Sequence, residues 1–244
     1  MAQAVFDSPT KKVYGETAAL TTTASHVLFR PLYQEVSLYC GSDWRMGIAP
    51  KLARVKYYNA STYTDYTAQA SDRDDTTHVP LDAMGTTHYL YMGFTDKVRG
   101  FYFNIDGANK NDNTATLDME YCSAISSAGV GTFTDVASDS DGTTTGGDTL
   151  KQDGIYTFTL PAVVRGSLAG IDTEPLYWYR FTPSATLSAT VDLIDIIPAC
   201  DTTNYAYMES GAPYQIALNL AQSGALELKA TAGTPTLNIS WISH

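Results

Sequence analysis

From Val36 onward, apolar and polar residues alternate with a period of two, the spacing of half-buried strands. Leu117, Met119 and Tyr121 fall on one face, with Thr116, Asp118 and Glu120 on the other. Phe101, Phe103 and Ile105 alternate with Tyr102 and Asn104, and Leu187, Ala189, Val191 and Leu193 with Ser188, Thr190 and Asp192. Leu226 and Leu228 alternate with Glu227 and Lys229, and Leu237, Ile239 and Trp241 close the chain. This pattern predicts antiparallel sheets with one face on a core and one in water. Polar loops at 106–113 and 139–148 separate the runs, and Pro161, Pro175, Pro183 and Pro198 are expected at strand ends. Gly93 and Gly100 bracket a predicted hairpin between two aromatic strands. Helix is confined to two weak candidates, 68–70 and 214–222. Residues 1 to about 30, rich in Thr, Ala and Ser, read as an extended arm that would be disordered alone and that neighbouring subunits would hold. The fold class expected is all-β, an antiparallel β-sandwich or jelly-roll-like architecture with an extended N-terminal arm. Its parts are an arm with first strands at 1–53, a sandwich at 54–198, and a C-terminal β segment at 199–244 packing on the sandwich or on a neighbouring protomer.

Composition agrees and narrows the function. Of 244 residues 44% are hydrophobic and 17 are tyrosine, whereas only 17% are charged, too few for a helical bundle or coiled coil. The net charge of −11 argues against a nucleic-acid partner. No apolar run approaches the ~20 residues of a membrane helix. All of the acidic excess lies beyond residue 110, where 4 basic residues face 15 acidic ones; such asymmetry suits one docked and one solvated face. Cys40, Cys122 and Cys200 form no metal-type spacing and read as buried thiols. The first residues lack the basic and long apolar regions of a signal peptide, so synthesis in a reducing cytoplasm is expected.

No catalytic, cofactor-binding or metal-binding set is predicted. The chain contains no Gly-x-Ser-x-Gly elbow, phosphate loop or HExxH. Asp74, Asp75 and His78 read as part of a solvated connector. Asp139, Asp141 and Gly142 begin like a calcium loop, but Leu150 stands where the bidentate glutamate belongs; a looser site with Asp148 competes with a plain turn. The carboxylates Asp192, Asp195, Asp172 and Glu174 lack a hydrolase motif. Tyr57, Tyr58, Tyr63 and Tyr66 suggest either a sugar-stacking surface or, more simply, core plus interface.

One stretch carries more. It runs Val55-Lys56-Tyr57-Tyr58-Asn59, Tyr63-Thr64-Asp65-Tyr66-Thr67, His88-Tyr89-Leu90-Tyr91-Met92-Gly93-Phe94 and Arg99-Gly100-Phe101-Tyr102-Phe103. After the strand at 117–122 come Phe133-Thr134-Asp135-Val136, Asp141-Gly142-Thr143, Gly154-Ile155-Tyr156-Thr157-Phe158 and Leu176-Tyr177-Trp178-Tyr179-Arg180. This ordered set, over about 145 residues, resembles β-sandwich modules of structural proteins of tailed bacteriophages. Two departures are visible: Cys122-Ser123-Ala124-Ile125 replaces the usual aromatic-Asn-Gly turn, and the strand before Pro161 lacks a tryptophan. With the arm and the acidic half, the resemblance implies a non-enzymatic virion structural protein. The leading expectation is a capsid decoration or cement protein on the virion exterior that clamps major capsid subunits and associates with copies of itself as a trimer or dimer. Phe6, Val13, Tyr14 and Leu20 of the arm, and Trp178 and Arg180 on one strand face, are the expected contacts. A tail, baseplate or neck component and a host-glycan-binding adsorption module are the alternatives, the last requiring exposed aromatics beside acidic loops.

Overall fold

The computed structural model describes residues 6–8, 11–20, 25–28, 35–72, 76–199, 206–217 and 223–242. In chain order the first strands are β1 (Phe6–Ser8), β2 (Lys11–Ala19), β3 (Ser25–Leu28), β4 (Glu35–Cys40) and β5 (Trp44–Pro50). Then come β6 (Leu52–Tyr58), β7 (Tyr63–Asp65), a helical turn α1 (Gln69–Asp72), β8 (Val79–Pro80), β9 (Tyr89–Phe94), β10 (Gly100–Ile105) and β11 (Leu117–Ile125). These lead to β12 (Gly131–Asp135), β13 (Ser140–Asp141), β14 (Gly154–Thr157), β15 (Arg165–Leu168), β16 (Asp172–Pro183) and β17 (Asp192–Ala199). Last are β18 (Ala206–Met208), β19 (Pro213–Ala217), β20 (Ser223–Ala230) and β21 (Thr236–Ile242). The protein is all-β, as the alternation predicts, and every strand pairing is antiparallel.

The chain divides into two compact units, one of Met1–Lys51 with Cys200–His244 and one of Leu52–Ala199. In the second unit a five-stranded sheet, β13-β14-β10-β17-β8, faces a seven-stranded one, β12-β11-β16-β9-β6-β7 with β15 on β16. Their inward residues share one core: Leu90, Met92, Phe94, Met119, Tyr179 and Phe181 from one sheet meet Phe101, Phe103, Tyr156 and Leu193 from the other. Phe94 stacks on Phe101 with centroids 5.1 Å apart, and Phe103 meets Phe181 edge-on at 5.8 Å. The Tyr179 hydroxyl donates to the Val98 carbonyl, which satisfies its polar tip inside the core.

The first unit is built from both ends of the chain. Sheet β1-β2-β21-β4-β19 and sheet β18-β5-β20-β3 enclose Val36, Leu38, Trp44, Leu226, Leu228 and Ile239. The expected arm is therefore a sheet strand over Lys11–Ala19: β2 pairs with β21 from Val13↔Ile242 to Ala19↔Thr236. The C-terminal segment likewise completes this unit.

Four local expectations change. Strands β9 and β10 belong to different sheets, so residues 94–100 cross between sheets and do not make a hairpin. Alternation at 187–193 becomes a strand only from Asp192, because earlier N–H groups bond to loops: Leu187 to Met84 O, Ser188 to Asn111 Oδ1, Val191 to Asp82 Oδ1. Pro175 lies inside β16, beside the register shift against β15 where the ladder is already broken, and Pro198 lies inside β17. Of the helix candidates, 68–70 leads into α1, whereas Pro213–Ala217 is strand β19, its Tyr214 and Ile216 packed on the core.

Candidate functional site

Because side chains alternate along each strand, the residues between the core positions of the seven-stranded sheet all point to its outer face. One lateral row crosses six strands. Its register pairs are Asp65↔Lys56, Lys56↔Tyr91, Tyr91↔Arg180, Arg180↔Glu120 and Glu120↔Asp135. These residues are drawn from a segment of more than a hundred residues, so no sequence motif contains them.

Arg180 is the centre of the row. Its Nε donates to Glu120 Oε2 at 2.6 Å and its Nη1 to the Tyr91 hydroxyl at 3.0 Å. The guanidinium lies 4.1 Å from the ring centroid of Tyr89 and 4.2 Å from that of Phe133, with Tyr91 at 5.7 Å. Burial disfavours the charged guanidinium, but the hydrogen bonds to Glu120 and Tyr91 outweigh it and raise its pKa further. Arg180 thus ties together four strands that sequence analysis treats as separate.

Trp178, two residues earlier on the same face, is fully buried. Its ring lies over Gly93, where an added Cβ would come within 3.0 Å of the ring and 2.7 Å of Leu176 Cδ1. Its Nε1 donates to Gly166 O, and Leu168 and Ile171 pack in the same cluster. A segment around β15 therefore covers the tryptophan that was expected to anchor a partner. Leu20 is also fully buried, in the core of the first unit. Phe6, Val13 and Tyr14 are strand residues whose side chains lie outside the described residues.

Next to Arg180 the face carries an aromatic tract. Tyr58 and Tyr63 pack with tilted rings at 4.7 Å, Tyr63 meets Tyr91 edge-on at 5.9 Å, and Tyr91 meets Tyr89 at 6.0 Å and, edge-on, Phe133 at 5.6 Å. Tyr63 is 40% exposed. Burial, helped by the neighbouring phenols, pushes the Tyr63 hydroxyl up to about 12. Of the four tyrosines singled out in the sequence, only Tyr58 and Tyr63 join this tract. Tyr57 packs on the core and its hydroxyl bonds His88 Nδ1 at 2.9 Å, and Tyr66 packs on the core as well.

The tract ends at a cleft of about 550 Å³ between Tyr89, Thr182 and the carboxylates Asp118, Glu120, Asp135 and Asp139. Glu120 answers Arg180 and Asp139 accepts the Tyr156 hydroxyl. Asp118 and Asp135 make no side-chain hydrogen bond or ion pair with any described residue. Burial, and then the charges of Asp135, Glu120 and Asp139, raise the Asp118 carboxyl above its ordinary range.

Several other acidic groups bond to protein donors. Asp141 accepts from Thr143 and Thr149, and Asp148 pairs with Lys151. Asp172 meets Arg54 and Lys56, Glu174 meets Arg54, and Asp192 meets His78 and Asn109. Asp74, Asp75 and Cys200 lie outside the described residues. Cys40 and Cys122 are buried free thiols. Among the described residues no group of three metal-ligating side chains is placed to hold an ion, and no helix is long and apolar enough to cross a membrane. No family model and no curated protein matches the chain.

Proposed function

We propose that this chain is a structural component of a tailed-bacteriophage particle, and specifically a capsid decoration or cement protein that bridges major capsid subunits as a dimer or trimer. The observation that carries the reading is where the phage-like phrases lie. The segments around 88–94, 100–103, 117–122, 154–158 and 176–180 supply β9, β10, β11, β14 and β16, and their inward-facing large side chains fill one core. What resembles the phage modules is thus a scaffold, which leaves loops, sheet edges and outer faces for docking. A cement protein stabilises a shell by mass action, because it binds the assembled lattice and not its separated subunits. Phe6, Val13 and Tyr14 remain the proposed contacts at the N-terminal edge, whereas Leu20 and Trp178 serve the protein's own cores.

Co-sedimentation of the full chain with empty capsids, and separately with tails, tests the proposal. Saturable binding to capsids, weakened by Phe6→Ala with Tyr14→Ala, is expected; point changes are used because removing the strand would disrupt the first unit. Binding to tails alone would replace the cement role with a tail, baseplate or neck one. Binding to neither overturns the particle assignment.

A further inference from the structure

We propose that the free edge of β12 is a self-association surface, through which two copies of this chain join their seven-stranded sheets about a two-fold axis at Phe133. The inference rests on the self-association in the proposed function and names its surface. β12 (Gly131–Asp135) ends the sheet. On either side of it, Ser126 N–H donates to Val130 O and Val136 N–H donates to Met119 O. Backbone groups alternate sides along an antiparallel strand, so those of Thr132 and Thr134 also face β11, while those of Gly131, Phe133 and Asp135 face away from it. No described residue takes up these three outward N–H and C=O pairs. The next outward carbonyl, Ala137 O, accepts from Thr159 N–H, which closes the edge beyond Asp135.

Exposed edges are normally blunted by shortness, proline or lysine. The edge strands β7, β8, β13 and β18 have two or three residues, and β19 opens on Pro213. β12 has five residues and neither proline nor lysine. Val130 just before it, at 62%, is the most exposed large apolar side chain among the described residues. The strand also complements itself. With Phe133 opposite Phe133 of the second copy, Gly131 meets Asp135 on both sides, and the three outward pairs exchange about six hydrogen bonds. Thr132 then faces Thr134 in the close, non-hydrogen-bonded pairs, a favourable cross-strand match, and both threonines are exposed in the single chain. A register centred on Asp135 would oppose two carboxylates, and one centred on Gly131 would set Phe133 against the turn at Gly129, where φ is 78°. The two-fold arrangement closes on itself and leaves neither β12 edge free.

Sedimentation equilibrium of the full chain, without capsids, tests the pairing. A monomer–dimer equilibrium with a Kd on the order of 10 µM is expected, as suits a short edge. Thr132→Lys with Thr134→Lys sets lysine opposite lysine in both close pairs and should weaken the dimer about tenfold or more. Thr132→Glu with Thr134→Lys sets opposite charges there and should retain it. The positions are exposed, so both variants should keep the melting temperature. Amide exchange over 130–136 should slow as the concentration rises through the Kd. A chain still monomeric about tenfold above that Kd overturns the inference. So does a trimer, a dimer that the two variants lose or keep alike, or exchange over 130–136 that ignores concentration. A monomer that still co-sediments with capsids sinks this pairing alone, whereas a dimer that does not sinks only the particle reading.

Discussion

Arg180 shows how much one side chain organises here. A planar guanidinium fits between two rings and still directs separate N–H groups at Glu120 and Tyr91, which a lysine ammonium cannot do. Arg180→Lys should therefore cost about 1–2 kcal/mol in urea unfolding, and Glu120→Gln added to the neutral Arg180→Met should cost little more than Arg180→Met alone, because that change has already broken the pair. Equal and additive losses would mean that the pair contributes nothing. The sequence places Trp178 and Arg180 on one face and Tyr177, Tyr179 and Phe181 on the other, and the strand obeys that division. It does not reveal that Glu120 and Tyr91, 60 and 89 residues away, are the partners of Arg180. Nor does it reveal that Trp178 is covered, since the cover comes from the four-residue strand β15 and the turn after it, too short to show a period of their own.

Among the elements, the β6–β7 hairpin carries a pH dependence. Burial pushes the Asp65 carboxyl up, but hydrogen bonds from Lys56 Nζ and from the Thr67 hydroxyl and amide outweigh it and bring the pKa down to about 2. A depressed carboxylate contributes stability that is complete above the unfolded pKa of about 3.9 and disappears as pH falls through the folded value. Urea midpoints should thus fall between about pH 4 and about pH 2, and fall less in Asp65→Asn. The difference should be small, because the Asp65 side chain is 51% exposed. Identical slopes for the two proteins would remove Asp65 from the account. Elements also mark where local pattern stops being informative. Alternation identifies β9 and β10 as strands, yet both would look the same in one sheet or in two. The run from Leu187 alternates like a strand, but its N–H groups find loop acceptors before a neighbouring strand is reached.

The whole molecule is two β units, only one of which is continuous in sequence. The Leu52–Ala199 unit has its own two sheets and core, so residues 52–199 expressed alone should unfold in one cooperative transition and keep the near-UV signal of buried Trp178. Residues 1–51 alone should stay unfolded, because β2 and β4 would lack β21 and β5 would lack β20. A non-cooperative 52–199 fragment would mean that this core is insufficient by itself. By itself the sequence determined the all-β class, the face each strand residue takes and most of the turns, because side-chain alternation and turn chemistry are properties of a few neighbouring residues. Only the tertiary structure decided which strands pair, that the two chain ends close a single unit, and that a largely charged row crosses six strands beside a tract of rings. Those outcomes depend on hydrogen-bond ladders between residues far apart in the chain, and the period-two pattern of any single strand is the same whichever neighbour it meets.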